Sequence, residues 1–140
     1  TVHVLGGHDQ EGRPNRNHWV FSPLKAQGTW SEDEGLQLPE PRAGHAAVGV
    51  GLLKRLYVFA GAEELDAHEG IALDLAGEGA WLPGPRIDVL PPRRGAAALY
   101  RSEGGEIWLA GGTDSDGNLL NQTLFLNLGQ ALLVSQQAGP

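Results

Sequence analysis

The sequence repeats a short pattern at a nearly constant interval. Three apolar runs end in small residues, and they lie at 2–7, 56–61 and 107–112. The last two runs are 51 residues apart, and the same interval separates Arg42 from Arg93 and Trp30 from Trp81. A fixed period near fifty residues indicates that one small structural unit is used several times. This constrains the fold more than any other feature of the chain.

Each repeat has room for four short strands, labelled a to d from the inside outward. Gly and Pro interrupt the chain too often for long helices, so the apolar segments between them predict strands. The predicted strands are a at 44–50 and 95–101, b at 2–6, 55–60 and 105–110, c at 18–22, 70–75 and 122–128, and d at 28–32, 79–82 and 131–136. The sequence therefore predicts an all-β chain whose first repeat lacks its innermost strand. A period of this length built from short strands is typical of a propeller blade.

Longer motifs recur in the same order within each period. Residues 41–47, Pro-Arg-Ala-Gly-His-Ala-Ala, are matched by 92–98, Pro-Arg-Arg-Gly-Ala-Ala-Ala, and a pair of small residues then ends strand b. With these motifs the sequence resembles the kelch repeat, in which an Arg opens a strand, Gly-Gly ends the next one and a Trp follows. The resemblance covers almost the whole chain. It departs from the pattern where Ala60 replaces a Gly, and where Leu132 and Leu133 stand in place of a third Trp.

The resemblance implies a kelch-type β-propeller segment in a single domain over 1–140. Its blades would span 1–34 (partial), 41–85 and 91–137, with up to four antiparallel strands each. Trp30 and Trp81 would then wedge between neighbouring blades. Three blades are too few to close, since propellers have roughly four to eight blades. We therefore expect further blades, from the same longer chain or from a second copy, to cover the two apolar end faces.

Composition excludes several classes of function. The chain has no cysteine, which rules out disulfides, zinc–thiolate sites and thiol catalysis. Its net charge of −7 argues against nucleic acid as a partner, because phosphate contacts need clustered Lys and Arg. No apolar run reaches the roughly 18 residues of a membrane span. We expect no cofactor and no catalytic residue, and nothing in the composition indicates a compartment.

Arginines are the candidate binding residues. In the kelch proteins that the chain resembles, the Arg that opens the innermost strand lies at the mouth of the central channel and often binds an acidic ligand. The resemblance gives that place to Arg42, Arg93 and Arg94, and it puts His45 in the channel wall. A guanidinium matches a carboxylate because both are planar and fork-shaped. The alternative interpretation is that these arginines form ion pairs that only hold the blades together.

The connections between strands b and c, and between d and a, carry most of the acidic residues, and in this fold they project from one face. Arg13 and Arg16 lie in the first of these loops. In the third, Asp114-Ser115-Asp116-Gly117 resembles the start of a calcium loop, but Asp-Gly is also a frequent turn pair. We favour the turn. The five histidines are scattered, with no metal-ligand spacing on one strand.

The sequence therefore predicts a non-catalytic scaffold that binds a protein or an acidic peptide through its loop face. The proposed binding residues are Arg42, Arg93, Arg94, His45, Arg13 and Arg16. One alternative is an enzyme-associated or secreted propeller that binds a carbohydrate or small ligand at the channel mouth. Another is a structural component of a larger assembly.

Overall fold

The structure is a computed structural model that describes residues 1–24, 27–61, 69–86 and 93–129. Within these ranges the chain forms ten strands and two short 3-10 turns, at Glu34–Leu36 and Gly51–Leu53. The strands are β1 (Val2–Leu5), β2 (His18–Ser22), β3 (Thr29–Glu32), β4 (Ala46–Val50), β5 (Arg55–Phe59), β6 (Glu69–Asp74), β7 (Ala80–Arg86), β8 (Ala97–Arg101), β9 (Glu106–Ala110) and β10 (Thr123–Asn127). They form three antiparallel sheets, which confirms the prediction of an all-β chain.

The chain divides into two compact units. The first, Thr1–Ala43, holds the antiparallel sheet β1-β2-β3. Alternate residues along a strand point to opposite faces. Leu5 is buried with its cross-strand partner His18, whereas Val4 and its partner Trp19 are exposed on the other face.

The second unit, Gly44–Pro140, contains a four-stranded sheet, β4-β5-β6-β7, and a three-stranded sheet, β8-β9-β10. The two sheets pack face to face around one core. Tyr57 and Phe59 of β5 belong to the same buried cluster as Ile107 and Leu109 of β9. Burial of these large apolar side chains is the main stabilising contribution to this unit.

The predicted strands agree closely with the observed ones. Strand c of the first repeat, at 18–22, matches β2 at both ends. Strand d of the second repeat is longer than predicted, because β7 continues through Pro83 and Pro85 to Arg86. β7 is the last strand in the order of its sheet, and prolines are tolerated in edge strands. Strand d of the third repeat, at 131–136, lies outside the described residues.

The small residues that follow β1, β5 and β9 all have left-handed backbone conformations. Gly6 and Gly7, Ala60 and Gly61, and Gly111 and Gly112 have φ between +57° and +100°. Close packing adds a second constraint: a Cβ at Gly112 would lie 2.6 Å from the carbonyl oxygen of Arg94. These turns explain why the sequence keeps small residues there, and they leave Ala60 as a non-glycine residue with positive φ.

The tryptophans differ in exposure. Trp81 is partly buried in β7, whereas Trp30 is 53% exposed. The prediction that Trp30 packs as a wedge between blades is therefore wrong within the single chain. Its ring contacts Phe21, with centroids 5.1 Å apart. Among the described residues, no helix is long and apolar enough to cross a membrane.

Candidate functional site

Two loops in the chain have the same hydrogen-bond network. In the first unit, one carboxylate oxygen of Asp9 accepts hydrogen bonds from the backbone N–H groups of Glu11 (3.0 Å) and Arg13 (2.8 Å). The second oxygen accepts from Nε of Arg13 at 2.9 Å. The backbone N–H of Gly12, whose φ is +78°, donates to the carbonyl of Asp9. The aspartate therefore organises its own loop, as Asx turns do.

The second unit repeats this arrangement 105 residues later. One oxygen of Asp114 accepts from the backbone N–H groups of Asp116 (2.9 Å) and Asn118 (2.8 Å), and the other accepts from Nδ2 of Asn118 (3.0 Å). Gly117 has φ of +83° and donates to the carbonyl of Asp114. Two loops with little sequence in common thus share one conformation, because both place Asp, Gly and a side-chain donor at the same positions.

This network supports the turn interpretation of Asp114-Ser115-Asp116-Gly117. Both carboxylate oxygens of Asp114 accept hydrogen bonds within the loop. The bond from the Asn118 side chain, together with backbone N–H donors, lowers the pKa of Asp114. In the same way, the bond from the backbone N–H of Arg13 lowers the pKa of Asp9. Within the described ranges, no group of three or more His, Cys, Asp or Glu side chains could hold a metal ion.

Arg93 is buried at the entrance to β8, with 4% of its surface exposed. Its Nη1 donates to the carbonyl of Gly111 at 3.0 Å and its Nη2 donates to Oε1 of Gln122 at 3.4 Å. Burial lowers its pKa, but arginine stays protonated in proteins. The side chain therefore fastens the turn after β9 to the entrance of β8.

Arg42 is equally buried in the first unit, with 2% exposed. Its Nη2 lies 3.9 Å from the carboxylate of the exposed residue Glu40. Its backbone N–H donates to Asn15, and its carbonyl accepts from Gly7 at 2.8 Å. We expected Arg42 and Arg93 to present their guanidinium groups to an acidic ligand. Both side chains are buried in the single chain, which favours the alternative that they hold neighbouring segments together.

Arg94, next to Arg93, has an exposed side chain. Its backbone forms two hydrogen bonds of 2.9 Å with Thr113, which opens the Asp114 loop. The following residue, Gly95, donates to the carbonyl of Gly44 at 2.7 Å, immediately before the half-buried His45. Backbone hydrogen bonds thus bring Arg94, the Gly44–His45 step and the Asp114 loop to one edge of the second unit. We call this the Arg94 edge.

The two loop arginines of the first unit are exposed. Arg13 is 71% exposed and forms ion pairs with Asp9 and Glu11, each at 2.9 Å. Arg16 donates from Nε to the carbonyl of Leu38. Both side chains are therefore held in place by neighbours in the same unit.

The first unit contains a pair of contacting histidines that was not predicted from the sequence. His18 is fully buried, and its Nε2 lies 2.9 Å from Nδ1 of His3 on the neighbouring strand. Burial lowers the pKa of both residues, and in each case the charge of Asp33 opposes this in part. The pairing depends on the strand register, in which Leu5 faces His18 and His3 faces Val20. Sequence spacing carries no signal for it.

Comparison with known proteins supports the fold alone. No protein-family model matches the chain, and no curated protein matches it. A solved structure described as "Structure of YjhT" is similar, with a TM-score of 0.52 at 18% sequence identity. The match covers 67% of this chain and 26% of that one, so the matched part spans about a quarter of the YjhT structure.

Proposed function

We propose that the three sheets are consecutive blades of a kelch-type propeller. Three features support this: the period near fifty residues, the in-order antiparallel strands of each sheet, and the left-handed turns that follow β1, β5 and β9. The fold similarity to a much longer solved chain is compatible with a segment of a larger all-β architecture.

We propose further that the chain is a non-catalytic scaffold that binds a protein partner through its connecting loops. The Arg94 edge is the observation that carries this proposal. The exposed side chain of Arg94 belongs to a residue whose backbone is hydrogen bonded to Thr113, at the start of a loop whose conformation is fixed by the Asp114 network. A preorganised loop loses little conformational entropy on binding, which favours affinity. A planar guanidinium matches the carboxylates of an acidic peptide.

The buried arginines have a supporting part in this proposal. Arg93 holds the Gly111 turn, and so fixes the start of the Asp114 loop next to Arg94. Arg13 and Arg16 belong to the corresponding loop of the first unit, and they would add contacts to the same class of partner. Removing an exposed arginine should therefore weaken binding without unfolding, whereas removing a buried one should do both.

The test is a selection of random displayed peptides on the wild-type chain, followed by fluorescence anisotropy titration of a selected acidic peptide. Arg94→Ala should weaken binding about fivefold, as expected for a loss of about 1 kcal/mol from an exposed charge pair. Arg101→Ala is the matched control. Arg101 is also exposed, but it is the last residue of β8, whereas Arg94 lies before the first. Equal affinity of the Arg94→Ala and wild-type chains would contradict the proposal.

A further inference from the structure

The first unit exposes an apolar sheet face. The strand register places Val2 opposite Phe21 and Val4 opposite Trp19, and Phe21 is opposite Trp30 in turn. Opposed residues point to the same side of a sheet, so these five side chains form one surface. Val2, Val4, Trp19 and Trp30 are exposed and Phe21 is partly buried. We call this surface the Val4 face.

The second unit exposes a different apolar face on the sheet β8-β9-β10. Trp108 lies between Leu99 on one side and Phe125 on the other. Leu99 is exposed, Phe125 is 67% exposed, and the Trp108 and Phe125 rings are 6.3 Å apart. Arg101 lies on the same side, beside Glu106. We call this surface the Phe125 face.

The repeat relates the Val4 face to a surface that is covered inside the second unit. Moving 105 residues along the sequence takes Val2 to Ile107 and Val4 to Leu109. The same step takes Trp19 to Leu124 and Phe21 to Leu126. The four positions reached by this step are the core-facing ones of β9 and β10: Ile107, Leu109, Leu124 and Leu126.

The repeat also relates the Phe125 face to the surface that does the covering. Moving back 51 residues takes Leu99 to Val48 and Trp108 to Tyr57. Both Val48 and Tyr57 pack in the core of the second unit, against the β9 and β10 positions just described. The second unit therefore already contains one interface in which a surface of the Phe125 kind covers a surface of the Val4 kind.

We propose that a second copy of this chain is the occupant of both exposed faces. The Phe125 face of one copy packs against the Val4 face of another, in the way that β4-β7 packs against β8-β10 within one chain. The two faces are different surfaces, so the contact is head-to-tail, and it either closes into a ring or extends as a chain of copies.

The exposed area and composition suit such a contact. The Val4 face presents three aromatic side chains and two valines, and the Phe125 face presents Leu99, Trp108 and Phe125. Each face amounts to roughly 400 Å², within the range of patches that mark interaction sites. The two faces together bury about 800 Å², the size of a weak contact whose population depends on concentration. Aromatic side chains, which both faces supply, are enriched in protein interfaces, and so is Arg, which the Phe125 face supplies with Arg101.

The first measurement is the mass of the unaltered 140-residue chain by sedimentation velocity at increasing concentration in 0.15 M salt. We expect a species of at least twice the mass of one chain. A single monomeric species up to the highest soluble concentration, with the native far-UV spectrum retained, would overturn the proposal.

Two charge substitutions then test which faces meet. Val4→Asp and Phe125→Asp each place a carboxylate on one face, and each variant alone should be monomeric. Mixed one to one, they should form a heterodimer, because the intact Phe125 face of the first variant can still bind the intact Val4 face of the second. If a face instead bound its own kind, the variant that keeps this face intact would still form a dimer by itself, and that result would refute the head-to-tail contact.

Leu52→Asp is the matched control. Leu52 is an exposed leucine in the 3-10 turn between β4 and β5 that belongs to neither face, and its substitution should leave association unchanged. Loss of association in this variant would show that added negative charge, rather than a particular face, controls assembly. Melting curves of all three variants identify any that do not fold. The mass of the unaltered chain remains decisive even if a variant fails to fold.

Discussion

Nδ1 of His3 lies 2.9 Å from Nε2 of His18, and the second ring nitrogen of His18 lies 3.1 Å from the carbonyl oxygen of Leu36. These distances fix the tautomers. A carbonyl only accepts, so Nδ1 of His18 carries a hydrogen, and in the neutral ring its Nε2 accepts from Nδ1 of His3. A second proton on Nε2 of His18 would require the hydrogen of His3 to move from Nδ1 to Nε2. The pair therefore fits the neutral form of both rings.

We predict that the chain becomes less stable as the pH falls below about 6.5, the value for histidine in an unfolded chain. Burial lowers the pKa of His3 and His18 in the folded state, so the unfolded chain binds more protons in this range. The stabilisation is complete above about pH 6.5 and is lost as the pH falls toward the lower folded values. The slope is at most about 1.4 kcal/mol per pH unit for each histidine. Urea unfolding between pH 5 and 8 measures it.

The matched variants for this experiment are His18→Leu and His8→Gln. His18→Leu removes the buried titrating group and should flatten the pH dependence, whatever its effect on stability at pH 8. His8 is exposed in a loop of the same unit, and its replacement should preserve the slope. A pH dependence that is equal in wild type and His18→Leu would contradict the assignment.

We predict that Ala60→Gly stabilises the chain, by about 1 kcal/mol. Ala60 has φ of +64°, a conformation that is strained for every residue with a Cβ. Gly111→Ala introduces the same strain, with no neighbour closer than 3.8 Å to the new Cβ, and should cost about 1 kcal/mol. Gly6→Ala should cost clearly more, because its Cβ would overlap the carbonyl oxygen of Arg42. Chemical denaturation of the three variants gives the order; equal effects of Gly6→Ala and Gly111→Ala would rule out the overlap.

We predict that Arg93→Ala lowers stability by about 1.5–3 kcal/mol, the range for a hydrogen bond to a charged group. The variant leaves the Gly111 carbonyl without its charged donor. Gln122→Ala removes only the longer contact, at 3.4 Å, and should have a smaller effect. Thermal unfolding compares them. Arg94→Ala serves as the control with the neighbouring exposed residue, and a loss of stability there equal to that of Arg93→Ala would show that burial does not distinguish the two.

We predict that Asp114→Ala lowers the melting temperature while Asp114→Asn nearly preserves it. Asparagine keeps an oxygen that can accept from the N–H groups of Asp116 and Asn118, whereas alanine keeps none. Added calcium should shift the melting temperature of neither the wild type nor the variants. A calcium-dependent rise in the wild type that both variants lose would show that the loop binds metal.

The positions of the strands could be predicted from the sequence because they depend on local signals. Turn residues such as Gly6-Gly7 and Gly111-Gly112 end the apolar runs, and they set strand ends to within one or two residues at most positions. The extension of β7 was missed because Pro83 and Pro85 read as terminators. They are tolerated where a strand lies at the end of its sheet.

The candidate site could be predicted only in part. Arg93 and Arg94 were predicted together as binding residues because both belong to the motif at 92–98. Adjacent residues of an extended chain point to opposite sides, and nothing local says which side meets the core. The structure shows Arg93 buried against the Gly111 turn and Arg94 exposed beside the Asp114 loop.

The sequence by itself determined the all-β class, the period of the repeat and the ends of the apolar runs, because hydrophobic alternation and turn residues act over a few neighbouring residues. Tertiary structure alone decided that His3 meets His18, that Arg42 and Arg93 are buried, and that the Val4 and Phe125 faces stay exposed. Those outcomes depend on strand register and on which sheet faces pack together. Residues far apart in the sequence determine both, so no short stretch of the chain encodes them.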